Sequence, residues 1–353
     1  MNKLVYLSVF AAVIFTAATG CKRNSEEVVY KPLVFDKEQE VKFTPISDEI
    51  LFGGPARICK IGDFFAVLYY QRDSVPTFLH VFNKSGQKMG DYIPEGRGPK
   101  EGLMIMEIQN IGSDIILNDL QQRKVMSASL DSSGNVSISE NQRDRKQWMI
   151  NSFRIGENYL NYFAPGPYIK ENRPPRLDLE SSQGYTIATF YSSPLDYTDP
   201  MLRFKLDASG CSQSLSPNGK HFVITYYDAS IIELFTIDKS IKETYRGYFY
   251  PPKFKVVGTK VEPEEDRIWA FNALHAANSY VFASYDGDLA SAKKKIRSNN
   301  ITVFDWDGHP LKLLKTDYRV EAICYCEEDG TIYAVITDES GRHYLGKLKI
   351  DLP

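Results

Sequence analysis

The sequence is short of the residues that most often carry chemistry. Its 353 residues include five histidines and five cysteines, and its formal net charge is -3. The histidines, His80, His221, His275, His309 and His343, stand far apart without metal-ligand spacing. No Gly-x-Ser-x-Gly elbow and no His-Glu-x-x-His segment occurs, which removes the common hydrolase and metalloprotease readings. A balanced, mixed-sign charge gives no basic footprint for nucleic acid and no patch for a membrane surface. After residue 18 there is no apolar run long enough to span a bilayer, and no helical periodicity beyond about two turns. Beyond Cys21 the cysteines are Cys59, Cys211, Cys324 and Cys326. The last two are spaced to share one face of a strand, where they do not readily bond each other, so unpaired buried thiols are expected.

What is present is aromatic and β-forming. There are 22 Tyr and 20 Phe, with 43% hydrophobic and 25% charged residues, an ordinary globular balance rich in strand formers. One pattern recurs: a β-rich run, then Asp, Asn or Ser with a glycine, then another run. Leu79–Phe82 leads into Asn83-Lys84-Ser85-Gly86, and Val125–Leu130 into Asp131-Ser132-Ser133-Gly134. Leu177–Leu179 leads into Ser181-Ser182-Gln183-Gly184, and Ile301–Phe304 into Asp305-Trp306-Asp307-Gly308. These glycines are 48, 50 and 124 residues apart, the last interval holding a further copy at Ile231–Ile237 and Asp238-Lys239-Ser240. A sixth ends the chain at Tyr344–Asp351. Such segments are hairpin turns. Six units of roughly 45 to 70 residues, each with several short strands, predict an all-β, six-bladed β-propeller. A pair of β-sandwiches is the other all-β possibility, disfavoured by the even spacing.

The chain ends add a constraint. The sixth unit stops after its third strand, and an open ring would leave an exposed edge. A segment within residues 28–46 is therefore expected to supply the missing outer strand, with Pro32 and Pro45 tolerable at an edge.

The first twenty residues read as a signal peptide: a basic start at Lys3, an uncharged run from Leu4 to Ala18, then small residues before Cys21. Ala18-Thr19-Gly20-Cys21 resembles a lipobox, which implies a lipid anchor on Cys21 and a polar tether over residues 21–27. The other reading is a soluble secreted protein with a chance cysteine at that place. Glu26-Glu27 resembles surface-export signals of Bacteroidetes lipoproteins. The domain plan is thus 1–20 signal, 21–27 tether and 28–353 propeller, in an outer-membrane lipoprotein of the cell envelope on a membrane face left open.

Glu95-Gly96-Arg97-Gly98-Pro99-Lys100-Glu101 resembles the Gly-x-Gly-Pro-x-Glu signature of TolB-like six-bladed propeller lipoproteins of Bacteroidetes. Ser216-Pro217-Asn218-Gly219-Lys220 is similar to a hairpin common in TolB-type repeats. The resemblance implies a fold and an envelope setting, with no reaction attached.

The candidate ligand-binding residues are Arg97 and Glu101 in that loop, and Tyr70, Arg72, Tyr227, Asp228, Tyr285 and Asp286, where middle strands end on the same face. Aromatic faces beside carboxylates and arginines suit sugars, peptides or protein surfaces. Turn chemistry and blade pinning are the structural alternatives for all of them. His275 lies on an expected inner strand as the best single candidate for a channel-lining base. No metal site, no catalytic set and no cofactor is assigned. The expectation is a monomeric, non-enzymatic binding or scaffold propeller for a protein or glycan. The alternative is a metal-dependent lactonase, another hydrolase or a lyase working at the channel mouth.

Overall fold

Each Asp/Asn-x-x-Gly segment folds as a turn held by its own first side chain. Asn83 Oδ1 accepts the N–H groups of Ser85 and Gln87, both at 3.0 Å. Asp131 Oδ1 accepts those of Ser133 at 2.8 Å and Asn135 at 2.9 Å, and Asp305 Oδ1 those of Asp307 at 3.0 Å and His309 at 2.9 Å. The fourth residue then needs a left-handed backbone, and Gly86 takes it with φ 78°. A side chain at Gly86 would also strike the backbone of Ile46 and Ser47, so this turn lies directly on the N-terminal segment.

The computed structural model describes residues 28–48, 54–70, 77–141, 146, 149–164, 174–195, 197, 199–208, 211–258, 260–292 and 298–352. The signal and tether segments with Cys21, the loop at 165–173, Arg72 and Cys211's side chain lie outside the described residues. Residues from Lys31 onward make one unit built of strands. Its N-terminal strands are β1 (Glu38–Glu40) and β2 (Thr44–Pro45).

Blade 1 is β3 (Gly54–Ile61), β4 (Phe64–Tyr70), β5 (Thr77–Asn83) and β6 (Lys88–Pro94). Blade 2 is β7 (Ile105–Ile111), β8 (Asp114–Asp119), β9 (Lys124–Leu130) and β10 (Val136–Asn141). Blade 3 is β11 (Met149–Ile155), β12 (Asn158–Phe163), β13 (Leu177–Glu180) and β14 (Thr186–Phe190). Blade 4 is β15 (Cys211–Leu215), β16 (His221–Tyr226), β17 (Ser230–Ile237) and β18 (Ile241–Tyr250). A separate hairpin, β19 (Phe254–Val257) and β20 (Lys260–Pro263), comes next. Blade 5 is β21 (Phe271–Ala276), β22 (Val281–Tyr285), β23 (Asn300–Phe304) and β24 (Pro310–Lys315), with β1 as a fifth strand. Blade 6 is β25 (Arg319–Cys326), β26 (Thr331–Thr337) and β27 (His343–Lys349), with β2 outermost. The six-bladed propeller is thus closed by an N-terminal strand, as expected from the chain ends.

The N-terminal segment does more than was expected of it. The Lys31 N–H donates to the Tyr248 carbonyl on blade 4 at 2.9 Å. Residues 38–40 then run parallel to β24, and Thr44–Pro45 pair with Lys347 and Gly346 of β27. The segment is a belt over the outer edges of three successive blades. Phe43, 4% exposed, is sunk from it into the apolar cluster that joins blades 5 and 6.

Apolar clusters also fill the junctions between blades 1 and 2, 4 and 5, and 6 and 1. Blade 3 also buries polar groups. Ser152 Oγ donates to Asn161 at 2.8 Å, Asn118 of blade 2 donates to the Ser152 carbonyl at 3.0 Å, and Lys146 pairs with Asp178 at 2.6 Å. One helix was not foreseen: α1 (Pro200–Ala208) begins with proline, and Asp199 accepts the Met201 N–H at 2.7 Å as its cap.

Candidate functional site

The inner strands β3, β7, β11, β15, β21 and β25 surround the channel. On β3, β7 and β11 a β-bulge interrupts the register just before Arg57, Glu107 and Asn151. A bulge re-aims the side chain that follows it. Arg57 Nε donates to both Glu107 carboxylate oxygens at 2.9 Å, and Asn151 donates to Gln213 of blade 4. Glu107, Asn151 and Gln213 are 3%, 3% and 2% exposed. Burial raises the Glu107 carboxyl above its ordinary value against the opposing pull of Arg57.

Further ties continue around the ring. Gln109 exchanges two hydrogen bonds with the Arg154 backbone, at 2.8 and 2.7 Å, joining blades 2 and 3. Ser212 donates to the Asn272 carbonyl at 3.1 Å, and Ser214 accepts the Ala276 N–H at 3.0 Å, joining blades 4 and 5. His275 bonds the Tyr325 backbone, joining blades 5 and 6, and Lys60 Nζ reaches Cys326 Sγ at 3.6 Å, joining blades 6 and 1. Every junction of inner strands therefore carries at least one polar tie.

Where the inner strands end, the channel widens into a cavity of about 990 Å³, at the upper end of the usual range for ligand sites. Arg57, Glu107, Phe153, Leu274, His275 and Ile323 line it, and Asp63, Ser132 and Glu328 stand among the turn residues at its lip. A second cavity of about 820 Å³ between blades 5 and 6 shares Tyr325 and Glu327 with it. Tyr280 and, from the belt, Gln39 line the second cavity.

Among the described residues, His275 is the one sequence candidate on the channel-mouth cavity. Burial lowers its pKa to about 4, against a backbone bond to Tyr325 and the nearby Glu327 charge, so the ring is neutral at physiological pH. The unfolded chain therefore binds a proton at pH 4–6.5 that the native state refuses. This stabilising contribution is complete above about pH 6.5 and is lost as pH falls towards 4, on the order of 3 kcal/mol for a shift of this size. His275→Gln is expected to flatten that part of the stability profile, read as denaturation midpoints between pH 4 and 7.5. An unchanged profile would remove His275 from the account.

The remaining described candidates lie on the opposite face, where the inner strands begin. Glu101 turns inward: its carboxylate accepts the Gly98 N–H at 2.7 Å, and Lys124 of blade 2 donates to the Gly98 carbonyl at 2.8 Å. The Gly-x-Gly-Pro turn is thus pinned to blade 2, and a side chain at Gly96 would collide with the Glu101 carboxylate. Arg97 is exposed. Tyr70 ends β4, with its side chain outside the described residues.

Tyr227, Asp228, Tyr285 and Asp286 do come together, at the seam of blades 4 and 5. Tyr227 packs on Trp269 at 4.4 Å, and Arg267 covers the same indole at 4.1 Å. Asp228 pairs with Arg267 at 3.3 Å and Lys205 at 3.6 Å. Tyr285 and Asp286 are buried, and Asp286 accepts the Ser298 N–H at 3.3 Å. Burial raises the Tyr227 hydroxyl to about 12.

Among the described residues one trio, Asp305, Asp307 and His309, brings metal-type ligand atoms within 4.8 Å. It sits on a hairpin where Asp305 already holds two backbone N–H groups and His309 Nδ1 at 2.9 Å. The turn accounts for it. Of the thiols, Cys59, Cys324 and Cys326 are free.

Solved structures place this architecture among known ones. A Bacteroides fragilis protein named as an inferred exported protein aligns with TM-score 0.56 at 12% identity, over 90% of this chain and all of that one. A DUF4221 family member from Bacteroides vulgatus aligns with TM-score 0.51 at 13% identity, over 88% of this chain and 95% of the other. The likeness is one of fold. No family model matches the chain, and no curated protein matches it.

Proposed function

We propose that this propeller is an exported, lipid-anchored, TolB-like binding protein that holds a glycan or protein segment in the channel-mouth cavity without transforming it. The observation that carries the reading is the cavity itself, large and of mixed polarity, whose wall is stiffened by ties at every junction. The strongest polar groups on that wall are used: Arg57 and Glu107 hold each other, and His275 is bonded to Tyr325. What a partner meets is shape, the aromatic rings of Tyr280 and Tyr325, and hydrogen-bonding groups, a preorganised surface suited to recognition. An anchor at Cys21 and the Bacteroides origin of both similar folds fit an envelope setting.

Calorimetric titration of the purified protein against neutral and acidic oligosaccharides, envelope peptides and divalent ions tests this. Ser132→Trp, which fills the lip without touching a tie, is expected to weaken binding at least tenfold, about 1.4 kcal/mol. Arg97→Ala on the opposite face is expected to leave it unchanged. The reverse pattern would move the site to the other face, and release of a cleaved product would replace binding with catalysis.

A further inference from the structure

Three cysteines near the channel differ in their surroundings. Cys59 and Cys324 are 7% and 6% exposed among apolar side chains, and burial pushes both thiols up, Cys324 to about 12. Cys326, the last residue of β25, is half-buried on the wall of the cavity, where a small solute reaches it. Its sulfur lies 3.6 Å from Lys60 Nζ at the end of β3. Lys60 also lies over the Tyr333 ring at 5.9 Å, which holds the amine in place. On the other side stands Asp329, which accepts the Tyr333 hydroxyl at 2.9 Å. Burial works to raise this carboxyl, and hydrogen bonds from Tyr333, Thr331 and Cys326 with the Lys60 charge overcome it and hold it below its ordinary value. Thiol and amine thus meet on adjoining inner strands 266 residues apart in sequence, where the last blade meets the first, with the carboxylate on the turn that follows β25.

We propose that Cys326 is a peroxide modification site and that Lys60 captures the oxidised sulfur, covalently joining blade 6 to blade 1. Lys60 Nζ stands beside the sulfur, and the thiol proton leaves with the hydroxide released from the peroxide. The sulfur attacks hydrogen peroxide: the O–O bond breaks, an S–O bond forms, and water leaves, so the thiol is oxidised to a sulfenic acid and the peroxide is reduced. Lys60 loses one ammonium proton to solvent, and its nitrogen then attacks the sulfur. The S–O bond breaks, and hydroxide leaves with a proton from the nitrogen as a second water. The product is an S–N bond, the lysine counterpart of a backbone sulfenamide. Cys324 competes poorly, because two residues apart on one strand is an unfavourable geometry for a disulfide.

Peptide mapping of the reduced full chain after a few equivalents of hydrogen peroxide tests this. The expected product is a linked pair of the Lys60 and Cys326 peptides, about 2 Da lighter than their sum and split by dithiothreitol. Lys60→Arg is expected to abolish the link and leave Cys326 to proceed to sulfinic acid, while Cys326→Ser abolishes both. The linked chain should also melt higher than the reduced one, because the bond closes the ring. Unlinked sulfinic acid at Cys326 in the unaltered chain, a disulfide from Cys326, or prior oxidation of Cys59 or Cys324 would overturn the proposal. The unaltered chain carries the decisive reading even where a variant does not fold.

Discussion

Glu233→Gln is expected to lower the stability of the folded chain by about 3–5 kcal/mol, because it leaves two guanidinium groups facing a lost charge in the interior. Glu233 is fully buried. It accepts Arg176 Nη1 at 2.9 Å, a second bond from Arg176 Nη2, the Tyr226 hydroxyl at 2.7 Å, and Arg246 at 3.1 Å. Arg176 is itself 4% exposed and donates to the Ser192 carbonyl at 3.1 Å. Glu243 adds a carboxylate on Arg246 at 2.5 Å, its pKa raised by burial and by the neighbouring Glu233 charge.

The cluster couples Arg176, just before the third strand of blade 3, to the third and fourth strands of blade 4. Its loss therefore loosens a junction as well as removing bonds. Urea unfolding followed by near-ultraviolet circular dichroism checks the size. Arg97→Ala, an exposed change, is the comparison and should stay within about 0.5 kcal/mol. A Glu233→Gln midpoint equal to that of the unaltered chain would mean that the carboxylate is dispensable and that the two arginines are satisfied by backbone carbonyls.

The same residues show what the sequence discloses and what it conceals. The hairpins were legible because a turn aspartate or asparagine and a left-handed glycine are local requirements, met within five residues. Closure by the N-terminal segment was legible because an unpaired edge is a deficit that can be counted along the chain. The polar lining of the channel was not. Bulges before Arg57, Glu107 and Asn151 shift the register by one, and a one-residue shift reverses which side chains face the channel. A polar residue early in each of the first four inner strands was the available signal.

Arg176 shows the same limit at longer range. It follows two prolines at the rim of a loop, where a surface arginine is the ordinary expectation. Its burial is set by Glu233, 57 residues away. Glu101 illustrates the other direction: its carboxylate accepts the Gly98 N–H, and the glycines beside it leave the room it folds into. The short helix at Pro200–Ala208 leaves little signal in the sequence, because nine residues with interleaved lysine, arginine and aspartate give little periodicity.

Removing residues 1–47 is expected to abolish cooperative folding of the ring, and Phe43→Ala alone to cost about 3–5 kcal/mol. The truncation strips β2 from blade 6 and β1 from blade 5, exposing the edges of β27 and β24. It also takes away the Lys31 bond to blade 4, the Ile46 N–H bond to the Leu345 carbonyl at 2.8 Å, and the Ser47 hydroxyl that accepts the Leu345 N–H at 3.0 Å. Bare edges pair with other chains, so the truncated protein should aggregate on expression or refold without a sharp transition. Phe43 separates the belt's packing from its hydrogen bonds, because its ring fills space beside Gly346 and Ile336 while its backbone contacts stay intact. A point variant that loses most of the stability lost on truncation would make the belt a hydrophobic clasp. One that loses little would make it an edge cover, and a truncated ring melting at the unaltered temperature would show that the last blade closes without help.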